Sequence, residues 1–284
     1  MDREEFYSVE MPDIVLRFPP VSSKDKLEFD TGFARLTIYH PIDALAWKFF
    51  LLVLRYGSLG RKEEKFVQVS IELLRLQSLL RTRNYKELID SRVKLASCLY
   101  FAKLKTEKRD YQFNLLYSSE ARLDDNLLIM WLDRRFVDLI EDRGLWFYFV
   151  FAHFLKRPSS LNLHAFLSAN TTLNKPQIAT LLERANINIS YKPMARKHLE
   201  LALGELVSIG FLKGFEIDTE TEQVKLFRYD HTTLQARALE LKRILERKAQ
   251  EFLQKTREVK RESQRKRRER KKKSLDEFLD DFPF

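Results

Sequence analysis

Two stretches decide the reading of this chain: RNYKELIDSRVKLASCLYFAKL at residues 83–104 and SYKPMARKHLELALGELVSIG at residues 190–210. In the first, Asn84 and Glu87 stand three apart, the spacing of a capping box, and predict a helix opening at Tyr85. Projection at 3.6 residues per turn gathers Tyr85, Leu88, Ile89, Leu95, Ala96 and Leu99 on one side, with Lys86, Asp90, Lys94 and Ser97 on the other. Arg92 falls toward the apolar side and is read as structural. In the second stretch Pro193 suits a first helical turn and Gly210 a C-terminal cap. Ala195, Leu199, Ala202, Leu206 and Ile209 form its apolar face, opposite Arg196, Lys197, Glu200 and Gly204.

Each helix runs into a predicted hairpin. YFAKLKT and QFNLLYS flank the charged turn EKRD; FLKGFEID and VKLFRYD flank TETEQ. The two stretches also share residues at one offset, Tyr85/Tyr191, Lys86/Lys192, Leu95/Leu201 and Ala96/Ala202, which points to an internal duplication. Outward from them, a strand is expected at Ala34–His40, a helix with Leu45, Phe49 and Leu52 inward, and a strand at 66–69. Ser70 is then expected to cap IELLRLQSLL. The second half repeats the order with NLLIMWL as strand, then helices in RRFVDLIED, LWFYFVFAHFLKR, SLNLHAFLSA and NKPQIATLLERA.

The expected fold is therefore mostly α with small β-hairpins (α+β): two tandem winged-helix domains at 34–122 and 123–231. An extended, loosely ordered segment precedes them at 1–33, and a helix follows at 232–255. In that helix Leu234, Ala238, Leu241, Leu245 and Phe252 have heptad-like spacing, interrupted at Lys248. It can pack back on the body or pair with a second copy, the former being the simpler expectation. Residues 256–273 then read as a basic, disordered linker and 274–284 as an acidic tip.

Composition narrows the function. Apolar residues make up 44% of the 284 and Phe alone numbers 22, enough for a substantial core. One cysteine, Cys98, excludes a disulfide framework and fits a reducing cytoplasm. No apolar run has the length of a membrane span, and the acidic start MDREEFYSVE is not a signal peptide, so a cytoplasmic protein without a membrane partner is expected. The formal net charge is +10. Segment 256–273 carries +8 and SLDEFLDDFPF −4, which leaves about +6 for the body and implies a polyanionic partner for it.

Catalytic patterns are missing. There is no GxxxxGK[ST] loop, and seven glycines offer little material for a phosphate nest. His40, His153, His164, His198 and His231 have no metal-ligand spacing, and paired acids such as Asp124–Asp125 would not converge on one site. A non-enzyme with no cofactor and no metal is expected. A helix with one apolar and one Lys/Ser/Arg face, followed by a hairpin, suits a major groove. The candidate edge-readers are Lys86, Asp90, Lys94 and Ser97, then Arg196, Lys197 and Glu200; the candidate phosphate contacts are Lys105, Lys108, Arg109, Lys213, Lys225 and Arg228.

With these residues in view, the region 34–230 resembles the theta-type, iteron-binding plasmid replication initiators. That resemblance implies two winged-helix units on successive major grooves of repeated origin sites in double-stranded DNA, in a monomer or homodimer. Separately, Asp280, Asp281, Phe282, Pro283 and Phe284 resemble, residue by residue, the acidic tip of bacterial single-stranded-DNA-binding proteins. This second resemblance implies docking by host replication proteins that read such tips: primase, helicase or clamp-loader subunits. It expects the chain to end at Phe284, whose carboxylate would then be free. A transcriptional regulator of winged-helix type, dimeric through 232–255 on operator DNA, is the alternative; an enzyme with an unfamiliar active site is a third possibility.

Overall fold

A computed structural model describes residues 9–30, 34–82, 84–104 and 109–280. The chain is mixed α/β, 51% helical and 27% strand, with ten helices and several small sheets among the described residues. It opens with β1 (Val9–Pro12), α1 (Asp13–Arg17), β2 (Lys26–Asp30), β3 (Ala34–Tyr39), α2 (Ala44–Tyr56), β4 (Ser58–Lys62) and β5 (Phe66–Glu72). Then come α3 (Leu73–Leu80), α4 (Tyr85–Ser97), β6 (Leu99–Leu104), β7 (Arg109–Asn114), β8 (Ser118–Arg122), β9 (Leu127–Asp133) and α5 (Arg134–Arg143). The remainder is β10 (Gly144–Phe147), α6 (Phe149–Phe154), α7 (Pro158–Ala169), α8 (Ile178–Arg184), α9 (Lys192–Ser208), β11 (Leu212–Asp218), β12 (Gln223–Arg228) and α10 (His231–Asp280).

All the named strand pairs are antiparallel. Two four-stranded sheets have the orders β2-β3-β6-β7 and β4-β5-β9-β8, and two ribbons pair β1 with β10 and β11 with β12. This is more sheet than the sequence led us to expect. The predicted first hairpin forms as β6–β7 but sits at the edge of a larger sheet, because β3 binds the other side of β6. At the expected domain boundary Arg122 ends β8 and residue 123 begins the turn to β9, and both strands belong to one sheet that also holds β4 and β5. One apolar cluster runs through both halves. Ser70 is also reassigned: it belongs to β5, and α3 begins only after Glu72.

The largest correction concerns residues 9–30, the described part of the segment expected to be loose. Met11, Val15 and Leu16 have 0% exposure, and β1 pairs with β10, with Val9 opposite Phe147. The segment bonds to both halves. Tyr100 on β6 donates its hydroxyl to the Phe18 carbonyl at 3.0 Å. Asn162 on α7 donates to the Val21 carbonyl at 2.8 Å, and Asn186 donates to the Ser22 hydroxyl at 2.6 Å. The guanidinium of Arg184 from α8 stands over the rings of Phe18, Phe29 and Phe166 at 4.4, 5.2 and 5.8 Å.

The helix pairs α3–α4 and α8–α9 are joined alike. Arg81 (φ +55°) and Asn186 (φ +56°) both turn into the left-handed region just after the first helix. The Thr82 amide then donates to the Gln77 carbonyl at 3.1 Å and the Ile187 amide to the Leu182 carbonyl at 2.9 Å, the long bond of a Schellman motif in each case. Each second helix leads into an antiparallel strand pair, β6–β7 or β11–β12. Gly210 (φ +77°) ends α9 as expected, with Phe211 donating to the Leu206 carbonyl at 2.9 Å.

At the C-terminal side, a single helix of 50 residues replaces the expected helix plus linker. No Gly or Pro interrupts 231–280, and pairs one turn apart bridge its charges, Glu262–Lys266 at 2.7 Å and Arg265–Glu269 at 2.8 Å. Its first half packs back on α3 and α6, burying Ala238, Leu245 and Ala249.

Two stability predictions arise here. Leu16→Ala removes a fully buried side chain from the segment that joins the halves and should cost about 2–5 kcal/mol in denaturant unfolding. His164 lies at 0% exposure between the rings of Phe147, Phe151 and Phe211, and burial lowers its pKa from 6.5 to about 3. Between pH 6.5 and 3 the unfolded chain takes up this proton and the folded chain does not, so stability falls across that window and is unaffected by this group above it. His164→Leu should flatten the stability–pH curve there, measured as the difference in slope between variant and parent.

Candidate nucleic-acid interface

The faces of α4 and α9 are set by their caps and by what each helix buries. The Asn84 side chain accepts the Lys86 amide at 3.1 Å and so fixes where α4 begins. Leu88, Ser91 and Leu95 point inward, and α4 packs on α2. Helix α9 buries Ala195, Leu199, Ala202, Leu203 and Leu206 and packs on α7 and α8. Glu205 locks it further by accepting the backbone amides of Lys156 and Arg157 at 2.7 and 3.2 Å. Lys48 from α2 joins the same corner, donating to the Leu155 carbonyl at 2.6 Å; burial lowers its pKa, opposed by the nearby Glu205 charge.

On α4, Lys86, Asp90, Lys94 and Ser97 are all exposed, and Arg92 is half-buried as expected. Two of the four are partly engaged. Lys94 forms an ion pair with Asp43, the residue that also caps α2, and the Ser97 hydroxyl donates to the Val93 carbonyl at 2.9 Å. On α9, Lys197 and Glu200 are exposed and open to a ligand. Arg196 is not free: its guanidinium is held by Glu222, at the turn of the β11–β12 ribbon, at 2.5 Å.

The proposed phosphate contacts divide. Lys213 and Lys225 are exposed on the ribbon, Lys213 over the Tyr229 ring at 5.3 Å and Lys225 against Glu216 at 3.3 Å. Arg228 requires correction. Its guanidinium turns inward and donates to the carbonyls of Leu167, Asn170 and Leu173 at 3.2, 3.0 and 3.1 Å, closing the end of α7. Burial lowers its pKa, and no phosphate can compete for those donors without unmaking the α7 end. Arg109 opens β7, while Lys105 and Lys108 lie outside the described residues. Asp280 is the last residue of α10; Asp281, Phe282, Pro283 and Phe284 lie outside the described residues.

Several residues on these faces were not singled out from the sequence as candidate contacts. Val93 is 59% exposed on the stripe of Lys86, about two turns along it, and Met194 and Leu201 flank Lys197 at 44% and 42%. Apolar residues are assigned inward by default, so nothing in composition flagged them. The spacing did hold a signal, since Val93 sits seven residues from Lys86 on one stripe.

Among the described residues no cluster of His, Cys, Asp or Glu could hold a metal ion, and no helix is long and apolar enough to cross a membrane. No family model matches the sequence, and no curated protein matches it.

Gly204 lies within α9, and a methyl group added there would meet no atom within 4 Å. Its backbone freedom in the unfolded state costs the helix stability with no steric return. Gly204→Ala should therefore raise stability by about 0.5–1 kcal/mol, read from the denaturation midpoint at unchanged slope.

Proposed function

We propose that this protein binds duplex DNA through two winged-helix units, α3–α4 with β6–β7 and α8–α9 with β11–β12, and acts as a replication initiator on repeated origin sites. The observation that carries this reading is the recurrence itself. Helix, left-handed turn, helix and antiparallel strand pair occur twice, with the same long turn hydrogen bond at residues 82 and 187. Each second helix turns a lysine-bearing face outward, Lys86 in one and Lys197 in the other. A body charge of about +6 supplies the attraction for phosphates. In this reading Lys86, Asp90, Lys197 and Glu200 meet base edges, and Lys213 and Lys225 meet the backbone. Residues 280–284 recruit host replication proteins by their resemblance to single-stranded-DNA-binding-protein tips. The alternative, a regulator dimerised through 232–255, is disfavoured because Ala238, Leu245 and Ala249 are already spent on the protein's own core.

The full chain, incubated with a randomised duplex library, should select a sequence that it then binds with salt-dependent affinity. The slope of log K against log salt should fall by about one on Lys213→Ala or Lys225→Ala. Footprints on DNA flanking the gene should show directly oriented repeats. Failure to enrich any duplex overturns the DNA reading, and an inverted repeat favours the regulator. Deleting Phe284 should abolish capture of tip-reading host proteins without changing DNA affinity.

A further inference from the structure

Large apolar side chains exposed singly are ordinary on any protein surface, but here they are not spread evenly. Of twelve such residues among those described, four belong to α4 or to α9 and its cap: Val93, Tyr191, Met194 and Leu201. These two helices are a small part of the described chain, so the concentration calls for a cause. Folding does not supply one. Valine is a poor helix former, and at 59% exposure Val93 recovers little through burial. On α9, Met194, Lys197, Leu201 and Gly204 follow one another at three- and four-residue steps along the outward stripe. On α4, Lys86 and Val93 share the corresponding stripe.

A face that alternates lysine with isolated methyl-bearing side chains fits a surface that is anionic at its rims and carries isolated methyl groups on its floor. The major groove is such a surface, and the 5-methyl of thymine is the apolar group displayed there. Met194 to Leu201 spans about 10 Å of helix, close to three base-pair steps. Gly204, with open space where a side chain would stand, lets the end of the stripe come close to the DNA. The carboxylates of Asp90 and Glu200 on the same faces would be repelled by phosphates, which places these faces toward base edges. Building on the DNA reading above, we propose that α4 and α9 recognise thymine 5-methyl groups through Val93 in one helix and Met194 with Leu201 in the other.

The test replaces thymidine by deoxyuridine throughout the duplex selected from the randomised library. This removes the methyls and keeps every hydrogen-bonding edge. The full chain should bind the uridine duplex more weakly, by about fourfold for each thymine methyl that one of these side chains covers. In the variant carrying Val93→Ala, Met194→Ala and Leu201→Ala the two duplexes should bind alike; all three positions are exposed, so the fold is kept. Equal binding of both duplexes by the parent chain overturns the proposal and leaves the DNA reading standing. A uridine penalty that persists undiminished in the triple variant also overturns it, because methyl recognition then lies elsewhere. Absence of binding to any duplex removes the DNA reading and this proposal together.

Discussion

The contact between the N-terminal segment and everything behind it holds this molecule together. Met11, Val15 and Leu16 are sealed from solvent, and the same short run of chain reaches Tyr100 in one half and Asn162 and Asn186 in the other. Asn186 is also the left-handed residue of the turn between α8 and α9. The clamp therefore acts on the joint that aims α9, and not only on the bulk of the core. Arg184, seated over three phenylalanine rings, adds a cation that packs as an aromatic partner would. A rigid angle between α4 and α9 follows from this, since α2 and α7, on which they rest, belong to one continuous apolar cluster.

That rigidity bears on how two helices would read a duplex. Two grips joined by a flexible linker each dock with their own entropy loss, whereas two grips on one core share it. The spacing between α4 and α9 becomes a property of the protein, and on the proposed reading the spacing of a bound site would have to match it. The corner made by Lys48, Leu155 and Glu205 serves the same end, because Glu205 ties the last turn of α9 to the start of α7 while Lys48 comes from α2.

The local periodicities were legible in the sequence: Leu88 and Leu95, or Leu199 and Leu206, announced their inward faces, and Gly210 announced its cap. The N-terminal segment was not, because β1 is a strand only by virtue of β10, more than a hundred residues away, and four residues carry no period of their own. Extra sheet was missed for the same reason, with β9 pairing back to β5. Arg228 and Arg196 show a different limit. A positive charge in a sequence does not say whether its partner is a phosphate, a carbonyl or a carboxylate within the same fold. The charge run after 255 was read as a linker from its composition, yet its acids stand one turn from its bases, and this spacing supports a helix.

The unbroken course of α10 has a mechanical consequence. Ala249 is the last of its described residues to be buried, and Asp280 stands 31 residues later, ~46 Å along the axis. A loose tether would let whatever binds at 280–284 wander through a sphere and fold back over the body. A stiff mast instead carries Asp280 at a fixed distance beyond Ala249, and on the proposed reading a partner captured at the tip is held there.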